Sequence, residues 1–177
     1  KLRSIKNFDF HLSITGTHLS KIHGFTINEI IKDKIKIDSK IRILKSGDSS
    51  NDISNSFSKG VSQYSKLFQK INPKLILILG DKFEVMSAAI ASTLHRIPIA
   101  HIHGGEETIG SLDNVIRHAI TKMSHIHFAS TKEYRSRIIQ MGENPKYVFD
   151  VGAIGLENVN QIKFIDKKFF KKKYEIN

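Results

Sequence analysis

The chain has 177 residues, 40% hydrophobic and 25% charged, a composition typical of a soluble globular protein rather than a disordered or fibrous one. We expect no membrane span and no signal peptide, and the absence of cysteine excludes disulfides and thiolate metal sites and fits a reducing cytoplasm. The net charge of +11 divides into +6 over residues 1–45, +1 over 46–160 and +4 over 161–177, which indicates basic surface at the ends rather than a nucleic-acid interface.

Short apolar segments alternate with helix-length amphipathic segments, a pattern typical of an α/β protein with a Rossmann-like parallel sheet and helices on both faces. The predicted strands are 8–14, 41–44, 75–79, 97–102, 125–129 and 147–151. The predicted helices are 52–71, with Ser54 or Asn51 as N-cap, followed by 83–95, 113–123 and 132–141. Because residues 75–79 are all apolar, we expect them to form a central strand buried on both faces.

Two features of the chain depart from a simple doubly wound domain. Such a domain opens with a strand and a Gly-rich turn, whereas this sequence opens on polar residues and reaches its first strand only at Phe8. We therefore expect the opening strand to be absent from this chain. Residues 152–160, which contain two glycines and a polar end, are interpreted as an interdomain hinge.

Polar side chains that follow the predicted strands are the first candidates for a functional site, because open α/β sheets bind ligands at the carboxyl ends of their strands. Acids lie at three of four such positions, an unusual concentration for loops. His103 lies beside two glycines, whose missing side chains are expected to let a ligand approach the backbone. The candidates in chain order are Thr17, His18, Asp81, His103, Glu106 and Asp113.

Several of these and neighbouring residues also have a purely structural interpretation. Asp113 precedes Arg117 by four residues and is able to cap its helix or pair with that arginine. His101 lies within a predicted strand and is interpreted as a packed core histidine. Strand alternation puts His125 and His127 on one face, but without a carboxylate at suitable spacing we expect core packing rather than a metal site.

Three well-known phosphate or nucleophile motifs are missing from the sequence. It contains neither the G-x-G-x-x-G turn of dinucleotide-binding domains nor a P-loop with Gly-Lys-Ser/Thr. The G-x-S-x-G elbow of α/β-hydrolases is also missing. The sequence therefore disfavours a dehydrogenase, an NTPase or a serine hydrolase.

A family resemblance appears in residues 80–130, which contain HIHGGE followed by IRHAITKMSH. This run resembles the hydrolysing UDP-N-acetylglucosamine 2-epimerases of sialic acid biosynthesis. Residues 14–30 resemble the second strand and loop of that family, and residues 151–159 resemble its crossover. The resemblance implies two Rossmann-like domains around a cleft, as in B-type glycosyltransferases, with the N-terminal domain at 1–155 and the crossover and truncated start of the second at 156–177.

The resemblance also implies a reaction, in which UDP leaves C1 of the sugar while a base removes the C2 proton, and water then adds to give N-acetylmannosamine. Asp81 and Asp113 match the acid/base positions of the family, and Glu106 matches the glutamate of its GGE turn. His103 stands where many relatives have glutamate, which puts its role in doubt. Arg117 is expected to fix Asp113 or to meet the substrate.

The same resemblance sets expectations for partners and leaves other functions open. We expect a UDP-sugar substrate, no cofactor or metal, no nucleic-acid or membrane partner, a cytoplasmic location and a homo-oligomer (dimer or tetramer). A non-hydrolysing 2-epimerase and a hydrolysing epimerase acting on a bacillosamine-type UDP-sugar are the alternatives among enzymes. A nucleotide-sugar-binding module is the non-enzymatic alternative, although clustered acids are poorly suited to gripping a pyrophosphate.

Overall fold

The computed structural model describes residues 5–6, 8–45, 47–156 and 166–175, in which strands alternate with helices along the chain. The strands are β1 Ser13–Thr15, β2 Ser39–Ile41, β3 Ile76–Leu79, β4 Ile99–Ile102, β5 Ile126–Ala129 and β6 Val148–Asp150. The helices are α1 Ile27–Lys32, α2 Ser50–Ile71, α3 Phe83–Leu94, α4 Leu112–Met123, α5 Lys132–Gln140 and α6 Lys167–Lys173.

The described strands form two parallel sheets, one of β1 and β2 and one with the order β3-β4-β5-β6. The predicted class, a parallel α/β fold with helices on both faces, is confirmed. The 22-residue helix α2 connects the two sheets, because its Tyr64 and Phe68 share a buried cluster with Ile43 and with Ala91 of α3. Burial of such apolar side chains contributes roughly 1.5–3 kcal/mol each for the larger ones, so this shared cluster holds the sheets together.

Some predicted boundaries were wrong, and local hydrogen bonds explain why. The first strand begins at Ser13 rather than at residue 8, and Phe8 is exposed. β1 pairs with β2 from Ser13↔Ser39 to Thr15↔Ile41, and just before this ladder Asp38 Oδ2 accepts a hydrogen bond from Leu12 N at 2.9 Å. β2 therefore covers 39–41 rather than 41–44, and the buried Ile43 lies beyond its end. Helix α2 is capped by neither Ser54 nor Asn51 but by Ser49, whose Oγ accepts a hydrogen bond from Asp52 N.

The expectation that residues 75–79 form a central strand buried on both faces is also wrong. Among the described residues β3 pairs with β4 alone, so it is an edge strand. Ile78 is buried beneath α3 and α4, whereas Leu77 and Leu79 on the other face are 44% and 57% exposed. The register continues this outer apolar row through Ile102, Phe128 and Phe149.

The carboxyl-terminal part of the chain is described only in part. Residues 157–160 of the predicted hinge lie outside the described residues, as do 157–165 and 176–177 of the predicted crossover and domain start at 156–177. Within 166–175 the chain forms α6, where Asp166 Oδ1 accepts hydrogen bonds from Lys168 N and Phe169 N. No helix within the described ranges has the length and apolar character needed to cross a membrane.

Candidate functional site

Three turns meet at one edge of the four-stranded sheet, because β3, β4 and β5 are adjacent and parallel. Asp81 lies two residues beyond β3, His103 directly follows β4, and Ser130 directly follows β5. The edge is the carboxyl one, where open α/β sheets bind their ligands. The structure therefore brings Asp81 and His103 into one region and adds Ser130.

Arg117 binds the turn after β3, which carries Asp81. It is 6% exposed, and its Nη2 donates a hydrogen bond to Asp81 Oδ2. Both terminal nitrogens also lie 3.2 Å from Thr108 Oγ1, which they reach as donors. The expectation that Arg117 fixes Asp113 is wrong. The guanidinium of Arg117 has several N–H donors in one plane, and it extends from α4 to the turn after β3, where it binds Asp81 instead.

Asp113 occupies the first turn of α4, but it is not the helix cap. The cap is Ser111, whose Oγ accepts a hydrogen bond from Asp113 N at 3.1 Å. The interpretation of Asp113 as an N-cap is therefore wrong. Its half-buried carboxylate lies near the positive end of the helix dipole, one turn before Arg117.

His103, Glu106 and Ser130 form a hydrogen-bonded group on the neighbouring turn. His103 Nδ1 and Ser130 Oγ both contact Glu106 Oε1, the serine at 2.5 Å. Partial burial raises the pKa of Glu106, but hydrogen bonds from Ser130 and His103 outweigh burial, and the net effect lowers that pKa. The positive charges of His103 and Arg117 lower the pKa of Glu106 further.

The two glycines between His103 and Glu106 are required by packing. A Cβ on Gly104 would lie 2.9 Å from His101 Nδ1, and a Cβ on Gly105 would lie 2.6 Å from the carbonyl oxygen of Tyr134. Gly105 also has a φ of 74°, which disfavours any side chain. The expectation that these glycines admit a ligand to the backbone is wrong, because protein atoms already occupy the space.

His101 is a packed core histidine, as predicted, and it supports the Asp81 turn from below. Its Nε2 lies 2.9 Å from the carbonyl oxygen of Gly80, and its Nδ1 lies 3.2 Å from Thr121 Oγ1. A carbonyl oxygen only accepts, so Nε2 carries the proton and Nδ1 is the acceptor in the neutral ring. Burial lowers the pKa of His101 to about 4, which keeps the ring neutral at pH 7.

This buried imidazole makes stability depend on pH. Its pKa is 6.5 when exposed and about 4 in the fold, so its contribution is complete above pH 6.5 and is lost as pH falls toward 4. We expect the full-length protein to lose about 3 kcal/mol of unfolding free energy over this range through His101. Urea unfolding of wild type and His101→Gln between pH 4 and 7.5 measures this, and equal pH slopes for the two proteins would contradict it.

His125 and His127 lie around the start of β5, away from its carboxyl end. The expectation that no carboxylate accompanies His127 is wrong, because Glu143 Oε2 lies 3.3 Å from its Nε2. Glu143 Oε1 also accepts a hydrogen bond from Lys122 Nζ at 2.5 Å, while His125 remains exposed. Within the described residues no group of three or more His, Cys, Asp or Glu side chains is arranged to hold a metal ion.

Thr17 and His18 lie on the 3-10 turn Gly16–Leu19 that follows β1 in the other sheet. His18 Nδ1 is hydrogen-bonded to Thr26 Oγ1 at 2.7 Å. The turn packs closely on the first turn of α3, since a Cβ on Gly16 would lie 2.6 Å from Glu84 Oε1. Thr17 and His18 are thus near the segment that carries Asp81, and a depression of about 240 Å³ lies beside them.

Sequence reasoning missed three residues that shape this edge: Ser130, Thr108 and Arg137. Ser130 follows a strand end, the same signal that identified Asp81, so the sequence contained the means to find it. Arg137 of α5 donates hydrogen bonds to the Gly105 carbonyl at 2.7 Å and to Glu107 Oε2 at 3.1 Å. No local pattern indicates these two contacts, because the partners lie 32 and 30 residues from Arg137 in the sequence.

Comparison with known proteins gives a consistent result. The family model described as UDP-N-acetylglucosamine 2-epimerase matches residues 1–177. The GDP/UDP-N,N'-diacetylbacillosamine 2-epimerase (hydrolyzing) of Campylobacter jejuni is 38% identical over 99% of this chain and 46% of its own length. The polysialic acid biosynthesis protein P7 of Escherichia coli is 38% identical over 98% of this chain and 44% of its own.

A solved structure agrees at the level of the fold. The UDP-GlcNAc 2-epimerase of Neisseria meningitidis bound to UDP-GlcNAc superposes with a TM-score of 0.77 at 19% identity, covering 98% of this chain and 46% of that one. The chain thus spans just under half the length of the relatives that it matches.

Proposed function

Because the chain belongs to the UDP-N-acetylglucosamine 2-epimerase family, we propose that the full-length protein is a hydrolysing 2-epimerase that converts UDP-N-acetylglucosamine and water to N-acetylmannosamine and UDP. Residues 1–155 are then its N-terminal domain, and 156–177 are the crossover and the beginning of the second domain. The observation that carries the proposal is the group of acids with His103 at the carboxyl edge of the sheet. The Campylobacter jejuni relative, which is 38% identical, is named as a hydrolysing enzyme, and this supports the hydrolytic outcome.

The proposed reaction is an elimination followed by hydration. A base takes the C2 proton as the bond between C1 and the UDP oxygen breaks, which leaves a 2-acetamidoglucal and free UDP. Water then supplies a hydroxyl to C1 and a proton to the opposite face of C2. Proton transfer at both stages requires positioned carboxylates or imidazole, and Asp81, Asp113 and the His103–Glu106 pair are the groups that we assign to it.

The charges at this edge favour catalysis over simple binding. A module that only binds a pyrophosphate needs free arginine, lysine or backbone N–H donors. Here Arg117 is engaged by Asp81 and Thr108, and Arg137 by Gly105 and Glu107. These two arginines therefore hold groups of the protein itself in place, which suits a site that positions acids.

The apolar surface of the sheet supports the domain division. Leu77, Leu79 and Phe149 are exposed on the outer row, and a groove of about 720 Å³ beside it is lined by Phe128, Phe149 and neighbours. Contiguous apolar surface of this kind typically contacts further polypeptide. None of Asp81, Glu106 and Asp113 lines the groove, so we assign it to packing rather than to substrate.

A second candidate substrate has a specific observation behind it. The Campylobacter jejuni relative is named for a diacetylated bacillosamine sugar, whereas the equally identical Escherichia coli relative is named for polysialic acid biosynthesis. The alternative proposal is therefore hydrolysis and epimerisation of UDP-N,N'-diacetylbacillosamine by the same residues.

The products formed by the full-length protein test these proposals. Incubated with UDP-N-acetylglucosamine in D₂O, it should release UDP and N-acetylmannosamine with one deuterium at C2, since the C2 hydrogen is replaced from solvent. Proton and phosphorus NMR identify both products. UDP-N-acetylmannosamine without free UDP would show a non-hydrolysing enzyme, and a higher kcat/KM for the bacillosamine sugar would favour the second candidate.

A further inference from the structure

Ser130 makes a contact that its sequence neighbourhood does not explain. It lies at the end of β5, and its Oγ is 2.5 Å from Oε1 of Glu106, a residue of the preceding turn. An ionised carboxylate only accepts hydrogen bonds, so the serine hydroxyl is the donor. Charge-assisted bonds of this kind are stronger than those between neutral groups, and the O···O distance lies at the short end of their usual range.

Ser130 differs from other serines of the described chain in the distance along the sequence to its partner, since Ser49 Oγ also donates to a carboxylate, Asp52 Oδ2 at 2.6 Å, but only three residues away. Ser124 Oγ donates to the Ile120 carbonyl at 2.7 Å, and Ser136 Oγ donates to the Lys132 carbonyl at 3.0 Å. Both bonds return to a carbonyl four residues earlier, as helical serines commonly do. Ser130 instead binds a side-chain carboxylate 24 residues away, which points to a positioning role.

The sheet provides a rigid frame for this contact. His103 N donates a hydrogen bond to the Phe128 carbonyl at 3.0 Å, and Ile102 is in register with Phe128. The two ends of the His103–Glu106–Ser130 group are therefore tied to the same pair of strands.

His103 itself requires external support. Its φ of 65° lies in the left-handed region, which costs a non-glycine residue energy and persists where surrounding contacts enforce it. Glu106 supplies one such contact by binding Nδ1. Because the carboxylate accepts, Nδ1 carries the proton and Nε2 is left as the ring nitrogen able to exchange one.

We propose that Ser130 is a positioning residue of the reaction, whose hydroxyl fixes the Glu106 carboxylate and through it the orientation and tautomer of His103. The expected effect of Ser130 on the reaction rate rests on the proposed function, whereas its effect on the Glu106 carboxylate does not. Ser130 does not itself need to touch the substrate. Its effect reaches the reaction through the proton held by His103.

Kinetics of Ser130→Ala in the full-length protein test the role. Loss of a hydrogen bond to a charged group should lower kcat/KM on the order of 10- to 100-fold at neutral pH. The hydroxyl stabilises the ionised carboxylate, so its removal raises the pKa of Glu106 and moves the acidic limb of the kcat/KM profile to higher pH. Ser130→Thr keeps the hydroxyl and should restore most of both properties, while Ser136→Ala is the matched control and should resemble wild type.

A second readout separates this inference from the proposed function. Carbon-13 NMR of labelled glutamate carboxylates, with Glu106 assigned by Glu106→Gln, should show a raised titration midpoint in Ser130→Ala whatever sugar the enzyme uses. That shift in a protein inactive on every UDP-sugar would support the positioning contact and overturn the proposed function. An active enzyme in which Ser130→Ala changes neither the pH profile nor the Glu106 titration would overturn the positioning role.

Discussion

Replacing Asp81 with asparagine in the full-length protein should lower kcat by about 10²–10⁴-fold, the usual contribution of a general acid or base. An amide has the shape of the carboxylate but does not accept a proton at neutral pH. The substitution therefore destabilises the transition state more than it weakens substrate binding. We therefore expect KM to change far less than kcat. Steady-state kinetics with UDP-N-acetylglucosamine measure both constants.

Because Asp81 forms an ion pair with Arg117, the Asp81→Asn variant needs a stability control. Arg117 has a buried guanidinium, and Asp81→Asn leaves it with an amide oxygen in place of a charged partner. Removing a partner from a buried ion pair destabilises proteins, so a thermal melt must accompany the kinetics. Asp33→Asn, an exposed acid that follows α1 and lies before β2, is the matched control. A folded Asp81→Asn enzyme with near-normal kcat would contradict the assignment.

Replacing Asp113 with asparagine should lower kcat on the same order, about 10²–10⁴-fold, with little change in melting temperature. Ser111 caps α4, so helix initiation does not depend on the Asp113 side chain. Arg117 pairs with Asp81, so the substitution breaks no ion pair with that arginine. Kinetics and a melt of the same preparation measure the two effects.

A comparison with Ser111→Ala separates catalysis from helix capping. Loss of the cap costs about 1 kcal/mol of stability and leaves the Asp113 carboxylate in place. Asp113→Asn should therefore lower kcat with little change in melting temperature, whereas Ser111→Ala should lower the melting temperature with little change in kcat. An Asp113→Asn enzyme with unchanged kcat would give Asp113 a structural role and leave Asp81 and the His103–Glu106 pair to transfer protons.

Local patterns predicted the parts of this protein that depend on neighbours in sequence. Alternating apolar and amphipathic segments indicated the parallel α/β class, since side-chain periodicity decides which segments bury one face. The residues after each strand indicated Asp81, His103 and Glu106, because the carboxyl ends of parallel strands share an edge. The burial of His101 followed from its place within a strand.

The sequence by itself thus determined the fold class, the family and the edge at which the candidate residues lie. Only the tertiary structure decided their partners: Arg117 binds Asp81 rather than its helical neighbour Asp113, and Ser130 binds Glu106. It also decided that β3 is an edge strand with Leu77 exposed. The physical reason is that periodicity and spacing constrain only neighbours in sequence, whereas a hydrogen bond or a packed surface depends on which distant segments the whole fold brings within a few ångströms.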